Sequence, residues 1–400
     1  MRIAVLGHPL YFGSHSMDRF ADMVTQGMVA RGHDAVQWRP EPMLRSLAIG
    51  SGSMKWLGYL DQYVLFPMLV RWRLRGSRDD TLVVLADQSL SMWLPWLRGF
   101  PHVIHTHDFT ALRALEGELP AMQLSRVTRF YQKMIRSGLG LGRNFIAVSQ
   151  QTARDLARFH GPAPYHCSVV YNGLNYPYSL LDADTALRRL RAAGLDALAP
   201  GAIMHIGSNS WYKNREGVLA LYGAYCRALP PGSTPRPLWM VGQEPTDALR
   251  DQGRLAEATG GRVLWLAGLD TACVHAAYAL ADVLVFPSHA EGFGWPIIEA
   301  MACGTPVLTV DRDPMREVAG GAAQLIPPTD EANLEAWAEQ CAPALHAMLA
   351  WSPETRAEVV QRGLRHAALF SADQVIDQYE RIYRIALHGE TAPGHASLGA

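Results

Sequence analysis

Residues 283–299 read Val-Leu-Val-Phe-Pro-Ser-His-Ala-Glu-Gly-Phe-Gly-Trp-Pro-Ile-Ile-Glu. Four apolar residues are followed by a segment rich in Gly and Pro, and then by further apolar residues. A continuous apolar run is typical of a parallel strand that is covered on both faces by helices. A proline, which has no amide donor, suits the first turn of a helix. The stretch therefore predicts a buried strand, a loop and a helix that begins near Pro296.

Nine other short apolar runs alternate along the chain with longer segments that resemble helices. The ten predicted strands cover residues 3–6, 82–85, 102–105, 145–148, 168–171, 202–206, 238–241, 263–266, 283–286 and 306–309. Alternation of strand and helix predicts an α/β fold with doubly wound parallel sheets.

At 400 residues the chain is too long for one ordinary core, which predicts two domains. The pattern breaks between residues 180 and 201 and restarts with a strand at Ala202. We predict one Rossmann-like domain over residues 1–180 and a second over residues 200–370. We also predict a helix over residues 371–388, and one interpretation is that it crosses back to the N-terminal domain. Ligands of open α/β sheets lie beyond the carboxyl ends of the strands. Two sheets facing each other therefore predict a cleft between the domains.

Composition excludes several classes of protein. Apolar residues make up 49% and charged residues 18% of the chain, which fits a globular protein. A formal net charge of -1 gives no electrostatic argument for binding nucleic acid. The five scattered cysteines suggest neither a disulfide framework nor a zinc site. With no signal region at the N-terminus, we expect a cytoplasmic location, with a peripheral position at the inner face of the membrane as a further possibility.

Residues 54–70 form the most apolar segment, but Asp61 and Pro67 interrupt it, so we expect no membrane span. Several tryptophans lie in or near the segment, and Arg71, Arg73 and Arg75 follow it. One interpretation is a surface that touches a membrane bearing a lipid-linked acceptor. The alternative is an ordinary helix packed on a sheet.

The loop at Glu291 has the chemistry of a site for a charged polyol. Gly292 and Gly294 let a ligand approach the backbone closely, and amides at a helix start favour phosphate or the electron-rich oxygens of a sugar. Glu291 and Glu299 are spaced to hold two groups of hydroxyls with a diphosphate between them.

This segment resembles the signature of glycosyltransferase family 4, in which two Glu residues are separated by seven others. The resemblance continues through Glu299-Ala-Met-Ala-Cys-Gly-Thr-Pro-Val-Leu308 and covers the C-terminal half. It implies a GT-B fold, retention of anomeric configuration, no metal and no cofactor. It also implies that Glu291 contacts the donor sugar, that Glu299 contacts the ribose, and that Gly292, Phe293 and Gly294 line the donor site.

A second motif, Gly207-Ser-Asn-Ser-Trp-Tyr-Lys-Asn214, follows the strand at 202–206. A lysine there can stabilise the negative charge that accumulates on a departing diphosphate. The family usually has an Arg just after the Gly and a Lys a few residues later. Lys213 matches the Lys, whereas Ser208 stands in the usual place of the Arg. We assign Lys213 and, in addition to its sugar contact, Glu291 to catalysis, and Ser208 and Asn214 to substrate binding.

The strand at 102–105 leads to His107 and Asp108. The family often has His-Asp there, which implies that His107 lies near the reacting face of the donor sugar, and we assign it to catalysis. Asp108 suits a helix cap. His105 is expected to be half buried. The loop from Gly7 to Ser16 partly matches the family's first glycine loop, and we assign Gly13 to substrate binding there.

Together these features predict a retaining hexosyltransferase of the bacterial polysaccharide type, which uses front-face displacement. The donor would be GDP-mannose or, next, a UDP-sugar, and the acceptor a glycan or lipid-linked glycan. Paired carboxylates also occur in glycosidases, but a phosphate site between them implies a charged leaving group. Two alternatives remain. One is a nucleotide-sugar epimerase of the same architecture. The other is a non-catalytic sugar-nucleotide-binding subunit, which is consistent with Ser208 in the usual place of the Arg.

Overall fold

A computed structural model describes residues 1–10, 15–47, 50–77 and 80–388. The chain forms two compact units. The first combines Met1–Asn175 with the C-terminal stretch that begins at Ala372, and the second spans Tyr176–Ser371.

The first unit is built on a six-stranded parallel sheet with the order β2-β1-β3-β4-β5-β6. Its strands are β1 (Arg2–Leu6), β2 (Asp34–Trp38), β3 (Thr81–Leu85), β4 (His102–Thr106), β5 (Asn144–Ala147) and β6 (His166–Val169). Its helices before the second unit are α1 (His15–Ala30), α2 (Ser51–Leu60), α3 (Phe66–Arg73), α4 (Thr110–Leu115), α5 (Arg126–Leu139) and α6 (Gln150–His160). A π-helical turn, Asp61–Leu65, joins α2 and α3 into one continuous helical segment.

The second unit has a parallel sheet with the order β12-β11-β10-β7-β8-β9. Its strands are β7 (Ala202–Gly207), β8 (Leu238–Gly242), β9 (Val263–Ala267), β10 (Ala281–Phe286), β11 (Val307–Val310) and β12 (Gln324–Ile326). Its helices are α7 (Ala183–Ala192), α8 (Arg215–Arg227), α9 (Asp247–Glu257), α10 (Thr271–Leu280), α11 (Trp295–Ala302), α12 (Met315–Ala319), α13 (Leu334–Leu349) and α14 (Pro353–Ala367). The first of these belongs to the second unit because its buried face packs against α10.

The predicted α/β fold with two parallel sheets is confirmed, and all ten predicted strands are present with small shifts of their ends. Two strands, β2 and β12, were missed. Both lie at a sheet edge, and both are partly exposed and contain polar residues such as Asp34 and Gln324. An edge strand that is not covered on both faces needs no continuous apolar run, so its sequence lacks the pattern that marks the inner strands.

The last helix, α15 (Ala372–His388), packs on α1, β3 and β4 of the first unit. The backbone of Gly27 in α1 lies so close to Ile376 that an added Cβ would be 2.8 Å from that side chain. The hydroxyl of Tyr383 and Nε2 of His105 in β4 lie 2.6 Å apart. His105 is fully buried, beyond the half burial that we expected.

In each sheet the strand order reverses direction once. The reversal lies between β1 and β3 in the first unit and between β7 and β10 in the second. Such topological switch points open a crevice beyond the carboxyl ends of the strands, where α/β sheets bind ligands. A ligand-binding site is therefore expected at the loops that follow these four strands.

No helix among the described residues is long and apolar enough to cross a bilayer. All five cysteines are free thiols, and only Cys167 is partly exposed.

Candidate active site

Two loops meet at the switch point of the second unit. The loop after β10 is joined to the loop after β7 by a hydrogen bond from the His289 amide to the Tyr212 carbonyl oxygen (2.8 Å). The ring of Trp211 stacks on the ring of His289 with 4.8 Å between centroids. These contacts fix one loop against the other and determine where their polar side chains point.

Lys213 and Glu291 form an ion pair across these loops. The distance from Lys213 Nζ to Glu291 Oε1 is 2.7 Å, and both side chains are largely buried. The ammonium also lies 5.2 Å from the centroid of the Tyr212 ring and 5.5 Å from that of Phe286. Gly207 makes room for this lysine, because an added Cβ would lie 3.1 Å from Lys213 Cβ. The two residues assigned from separate motifs therefore form one charged centre.

Asn214 connects the two loops through hydrogen bonds of its side chain. It adopts a left-handed backbone (φ 52°), and its side chain caps α8 by accepting from the Gly217 amide at 3.0 Å. Its amide group donates to the Pro287 carbonyl oxygen (2.8 Å) and to the Thr329 hydroxyl (2.7 Å). Both amide hydrogens are thus engaged within the protein, and its side chain positions the two loops.

Ser208 and Arg215 shape the turn after β7. The Ser208 hydroxyl donates to that of Ser210 at 3.0 Å. The Arg215 guanidinium is buried beside Trp265, where it donates to the Gln243 carbonyl oxygen (2.9 Å) and to the Asn209 side chain. Burial lowers the pKa of Arg215 to about 10, although the charge of Glu244 opposes this shift. Arg215 therefore braces the turn.

Helix α11 begins at the end of the loop after β10. Its N-cap is Gly294, with a φ of 101° that other residues rarely adopt, and Pro296 lies in the first turn as predicted. Phe293 is buried and packs edge-on against Trp295 and Phe370. Phe293 thus anchors the loop, and Gly292, which is partly exposed, lies between this anchor and Glu291.

Glu299 lies in the second turn of α11 and is buried. One carboxylate oxygen accepts a hydrogen bond from the Tyr278 hydroxyl of α10 at 2.9 Å. Burial, together with the charge of Glu299, raises the pKa of Tyr278 well above its ordinary value. The phenol therefore remains a proton donor and fixes the orientation of the carboxylate.

In the first unit, His107 directly follows β4 and is buried. Its Nε2 lies 2.9 Å from the Ala86 carbonyl oxygen, and its backbone amide donates to the Gln88 side chain at 2.7 Å. Because a carbonyl oxygen can only accept, Nε2 carries the proton, and Nδ1 of the neutral ring is an acceptor. Burial lowers the pKa of His107, although the nearby Asp87 carboxylate opposes the shift. The ring is therefore neutral near pH 7.

Asp87 and His8 lie at the switch point of the first unit, on the loops after β3 and β1. The distance from His8 Nε2 to Asp87 Oδ1 is 3.6 Å, and the same oxygen accepts from the Ser89 amide at 2.7 Å. Burial by itself would raise the pKa of Asp87. The contact with His8 outweighs it, assisted by the charge of His107 and the hydrogen bond from Ser89, and holds that pKa well below its usual range.

Asp108 accepts a hydrogen bond from the Thr110 amide at 3.0 Å, but the N-cap position of α4 belongs to Phe109, so Asp108 lies one residue before the cap that we predicted for it. Gly13, the remaining residue assigned from sequence, lies outside the described residues.

Two family models match the chain. The model of glycosyl transferases group 1 matches residues 201–346, which include Lys213, Glu291 and Glu299. The model of Glycosyltransferase Family 4 matches residues 17–176, which include His107. The chain belongs to the family 4 glycosyltransferases.

This family 4 glycosyltransferase is 27% identical over 309 residues to a D-inositol 3-phosphate glycosyltransferase of Segniliparus rotundus, an alignment that covers 75% of this chain and 65% of that one. The chain spans less than two thirds of the length of the first curated relatives it matches.

Solved structures with the GT-B architecture share the fold of the chain. Sucrose-phosphate synthase from Thermosynechococcus elongatus matches with a TM-score of 0.71 and 21% identity over 98% of this chain and 100% of that one. Anabaena HepE in complex with UDP and glucose matches with a TM-score of 0.64 and 17% identity over 95% and 98% of the two chains. The GT-B fold predicted from sequence is thereby confirmed.

Two polar residues of the chain escaped the sequence reasoning: Tyr278 and Asp87. His8, which contacts Asp87, lies in the loop from Gly7 to Ser16 that the sequence had already singled out. Asp87 follows β3 almost directly, a position that could have singled it out. Tyr278 carries no such signal, because it lies within an apolar helix and only packing brings it to Glu299.

Proposed function

We propose that the protein transfers a hexose from a nucleotide-diphosphate sugar to a glycan or lipid-linked glycan, with retention of configuration. The observation that carries the proposal is the Lys213–Glu291 ion pair at the switch point of the second unit. A cation and a carboxylate held together beside the start of α11 suit a ligand that carries both a diphosphate and hydroxyls.

In this proposal Lys213 binds the diphosphate and stabilises the charge that accumulates on it as the glycosidic bond breaks. Glu291 accepts hydrogen bonds from hydroxyls of the donor sugar. Glu299, oriented by Tyr278, accepts those of the ribose. Ser208 supplies no charge, so the diphosphate is held by a single lysine together with backbone amides.

The acceptor chemistry needs no protein nucleophile. The bond between the anomeric carbon and the phosphate oxygen breaks, and the acceptor oxygen bonds to the same face of that carbon. The acceptor proton passes to the departing phosphate oxygen. We propose that His107, whose Nδ1 is the accepting nitrogen, contributes a hydrogen bond on the sugar side, and that no metal takes part.

The base of the donor is the first property to test. A thermal-shift screen should include GDP, UDP and ADP, then GDP-mannose and UDP-glucose, each with and without EDTA. Binding at about 100 times the dissociation constant adds about 2.7 kcal/mol of stability, which would raise the melting temperature by about 5 °C or more. The expected result is one preferred base, with the same shift when EDTA is present. A chain stabilised by none of these nucleotides would contradict the proposal.

A second function is favoured by Ser208, which leaves one cation where the family usually has two. The chain would then bind a sugar nucleotide without turnover, as a subunit of a larger synthase. Release of nucleoside diphosphate from the preferred donor, in the presence of bacterial glycolipid extract, separates the two. Release that depends on the extract supports the transferase, whereas binding without release supports the subunit.

A further inference from the structure

The helical segment from α2 to α3 exposes a row of large apolar side chains. Trp56, Leu60, Val64, Met68 and Trp72 follow one another at intervals of four residues, and their exposed fractions are 67%, 45%, 39%, 49% and 62%. A step of four residues drifts about 40° around an α-helix. The π-helical turn at Asp61–Leu65 has more residues per turn than an α-helix, so each residue rotates the chain less and the drift is reduced. The row therefore stays closer to one side of the segment.

The opposite side of the same segment packs on the core of the first unit through Phe66, Val70 and Leu74. A surface helix of a globular protein usually buries one apolar stripe and turns polar residues toward water. This segment is apolar on both sides, so its outer row is not explained by the core. We call Trp56, Leu60, Val64, Met68 and Trp72 the tryptophan row.

Helix α5 exposes a second, shorter row. Val127, Phe130 and Met134 are 55%, 66% and 38% exposed, at the three- and four-residue spacing of one helix face. Four cations run beside them along the helix, at Arg126, Arg129, Lys133 and Arg136, and α5 contains no acidic residue. An exposed apolar stripe flanked by a cationic one is the pattern of a helix that lies in a membrane interface.

The two rows belong to neighbouring elements. Tyr63 of the π-helical turn lies 5.8 Å from Tyr131 of α5, measured between ring centroids. On its other side, Tyr63 lies 5.9 Å from Tyr59, and Tyr59 lies 5.9 Å from Trp56 of the tryptophan row. A continuous set of aromatic rings thus connects the row on α2 with the helix that carries the second row.

The charge of this surface has one sign. Asp61 is the only acidic residue between residues 51 and 75. It is buried, and its two oxygens accept the backbone amides of Leu44 and Arg45, each at 2.8 Å. The exposed residues Arg71 and Arg73 flank Trp72, the last member of the tryptophan row. Arg136 pairs with Glu116, which leaves Arg126, Arg129 and Lys133 as the net charge of α5.

We propose that the tryptophan row and α5 together dock the first unit onto an anionic phospholipid bilayer. Tryptophan and phenylalanine enter the boundary between headgroups and acyl chains, whereas arginine and lysine reach the anionic headgroups. The cationic charge beside both rows selects an anionic membrane over a neutral one. This docking is separate from sugar transfer and requires neither donor nor acceptor.

The test is flotation of the full chain with two kinds of vesicle. One contains phosphatidylcholine alone, and the other contains phosphatidylcholine with about 30% of the anionic lipid phosphatidylglycerol. The wild type should bind the anionic vesicles at least about 10-fold more tightly, and less so as salt is raised. Replacing both Arg126 and Lys133 by Ala should weaken binding about 25-fold, at about 5-fold per cation. The single change Phe130→Ser should weaken it about 10-fold, because a large apolar side chain leaves the interface.

A matched control for the Phe130→Ser variant comes from the second unit. Leu255 on α9 is 71% exposed, so Leu255→Ser removes equally accessible apolar surface from a different place. It should leave vesicle binding unchanged. Equal binding to both kinds of vesicle, or wild-type binding by the Phe130→Ser variant, would overturn the proposal. So would light scattering that shows a dimer which Phe130→Ser converts to a monomer, because a second copy would then cover this surface.

A failure to bind anionic vesicles would not contradict the proposed transferase function, because nucleotide binding by the same variants can be measured without vesicles. Circular dichroism and the melting temperature of each variant establish that it is folded. A folded variant that binds nucleotide but not anionic vesicles is the result that we expect.

Discussion

Lys213 and Glu291 are the residues on which the proposed chemistry depends most. The ammonium and one carboxylate oxygen lie 2.7 Å apart in a largely buried position, where a charge is stabilised mainly by its partner. A donor would bring its own anion to the ammonium and its own hydroxyls to the carboxylate. The pair therefore keeps both groups in place between turnovers.

Loss of the lysine should affect the transition state more than the ground state. We expect Lys213→Ala to lower the rate of transfer by roughly 100-fold or more, as loss of a charge contact at a departing group does elsewhere. Steady-state release of nucleoside diphosphate measures this. Arg250→Ala, which removes an exposed cation from α9, is the control and should leave the rate unchanged. An unchanged rate in the Lys213→Ala variant would remove this residue from the mechanism.

Glu299 and Tyr278 should act on donor binding together. Glu299→Ala should mainly weaken affinity for the nucleotide, and Tyr278→Phe should weaken it by roughly 5-fold, because a hydrogen bond to a charged group is lost. Calorimetric titration with the preferred nucleoside diphosphate measures both. Tyr225→Phe removes a hydroxyl that accepts from the Arg236 amide, away from this carboxylate, and should keep wild-type affinity. Wild-type affinity in Glu299→Ala would disprove the ribose assignment.

Stability should depend on pH through His205, which is buried in β7 and donates from Nδ1 to the Val285 carbonyl oxygen at 3.0 Å. Burial lowers the pKa of His205 to about 3. Below pH ~6.5 the unfolded chain binds a proton that the folded chain does not. The free energy of unfolding should therefore fall by about 1.4 kcal/mol per pH unit on account of this residue, down toward pH ~3.

Urea unfolding at pH 7.5, 6 and 5 should show this fall in the wild type, and a shallower one in His205→Gln. Identical pH dependence in the two proteins would mean that another group governs acid sensitivity.

At the scale of elements, the start of α11 depends on one glycine. Gly294 has a φ of 101°, and an added Cβ would lie 3.3 Å from Ile297 Cδ1. We expect Gly294→Ala to cost about 1–2 kcal/mol of stability. The start of the helix should also shift, and nucleotide affinity should fall because the amides at this helix start are proposed to bind the diphosphate.

Gly260 provides the matched control, since its φ is 92° and an added Cβ would have no neighbour within 4 Å. Gly260→Ala should cost similar stability in urea unfolding and leave nucleotide affinity unchanged. Equal nucleotide affinity in the Gly294→Ala and Gly260→Ala variants would show that the start of α11 does not contribute to the donor site.

At the scale of the whole molecule, the chain returns to its first unit through α15. The Tyr383 hydroxyl bonds to His105, whereas the hydroxyl of Tyr379, one turn earlier, is buried and has no hydrogen-bond partner among the described residues. Tyr383→Phe should lower the free energy of unfolding by about 1–2 kcal/mol, because it leaves a buried imidazole nitrogen unpaired. Tyr379→Phe should be neutral or stabilising. Urea unfolding of the full chain measures both, and an unchanged free energy of unfolding in Tyr383→Phe would show that the bond to His105 does not stabilise docking of the helix.

The sequence by itself determined the local features of this protein. Continuous apolar runs located ten strands, because a strand covered on both faces must be apolar throughout. Glycine and proline around α11 located its start, because few residues adopt a positive φ or lack an amide donor. The motif residues Lys213, Glu291 and Glu299 were found in the same way, from short stretches that resemble a family.

Only the tertiary structure decided how these features combine. Lys213 and Glu291 are 78 residues apart, and they meet because β7 and β10 are neighbours at a reversal of strand order that no local pattern encodes. The partnership of Tyr278 with Glu299 depends in the same way on the packing of α10 against α11. The edge strands β2 and β12 required the complete fold for the same physical reason. Long-range contacts depend on which surfaces remain to be covered once the sheets have formed, whereas a short stretch of sequence specifies only its own backbone and its own apolar face.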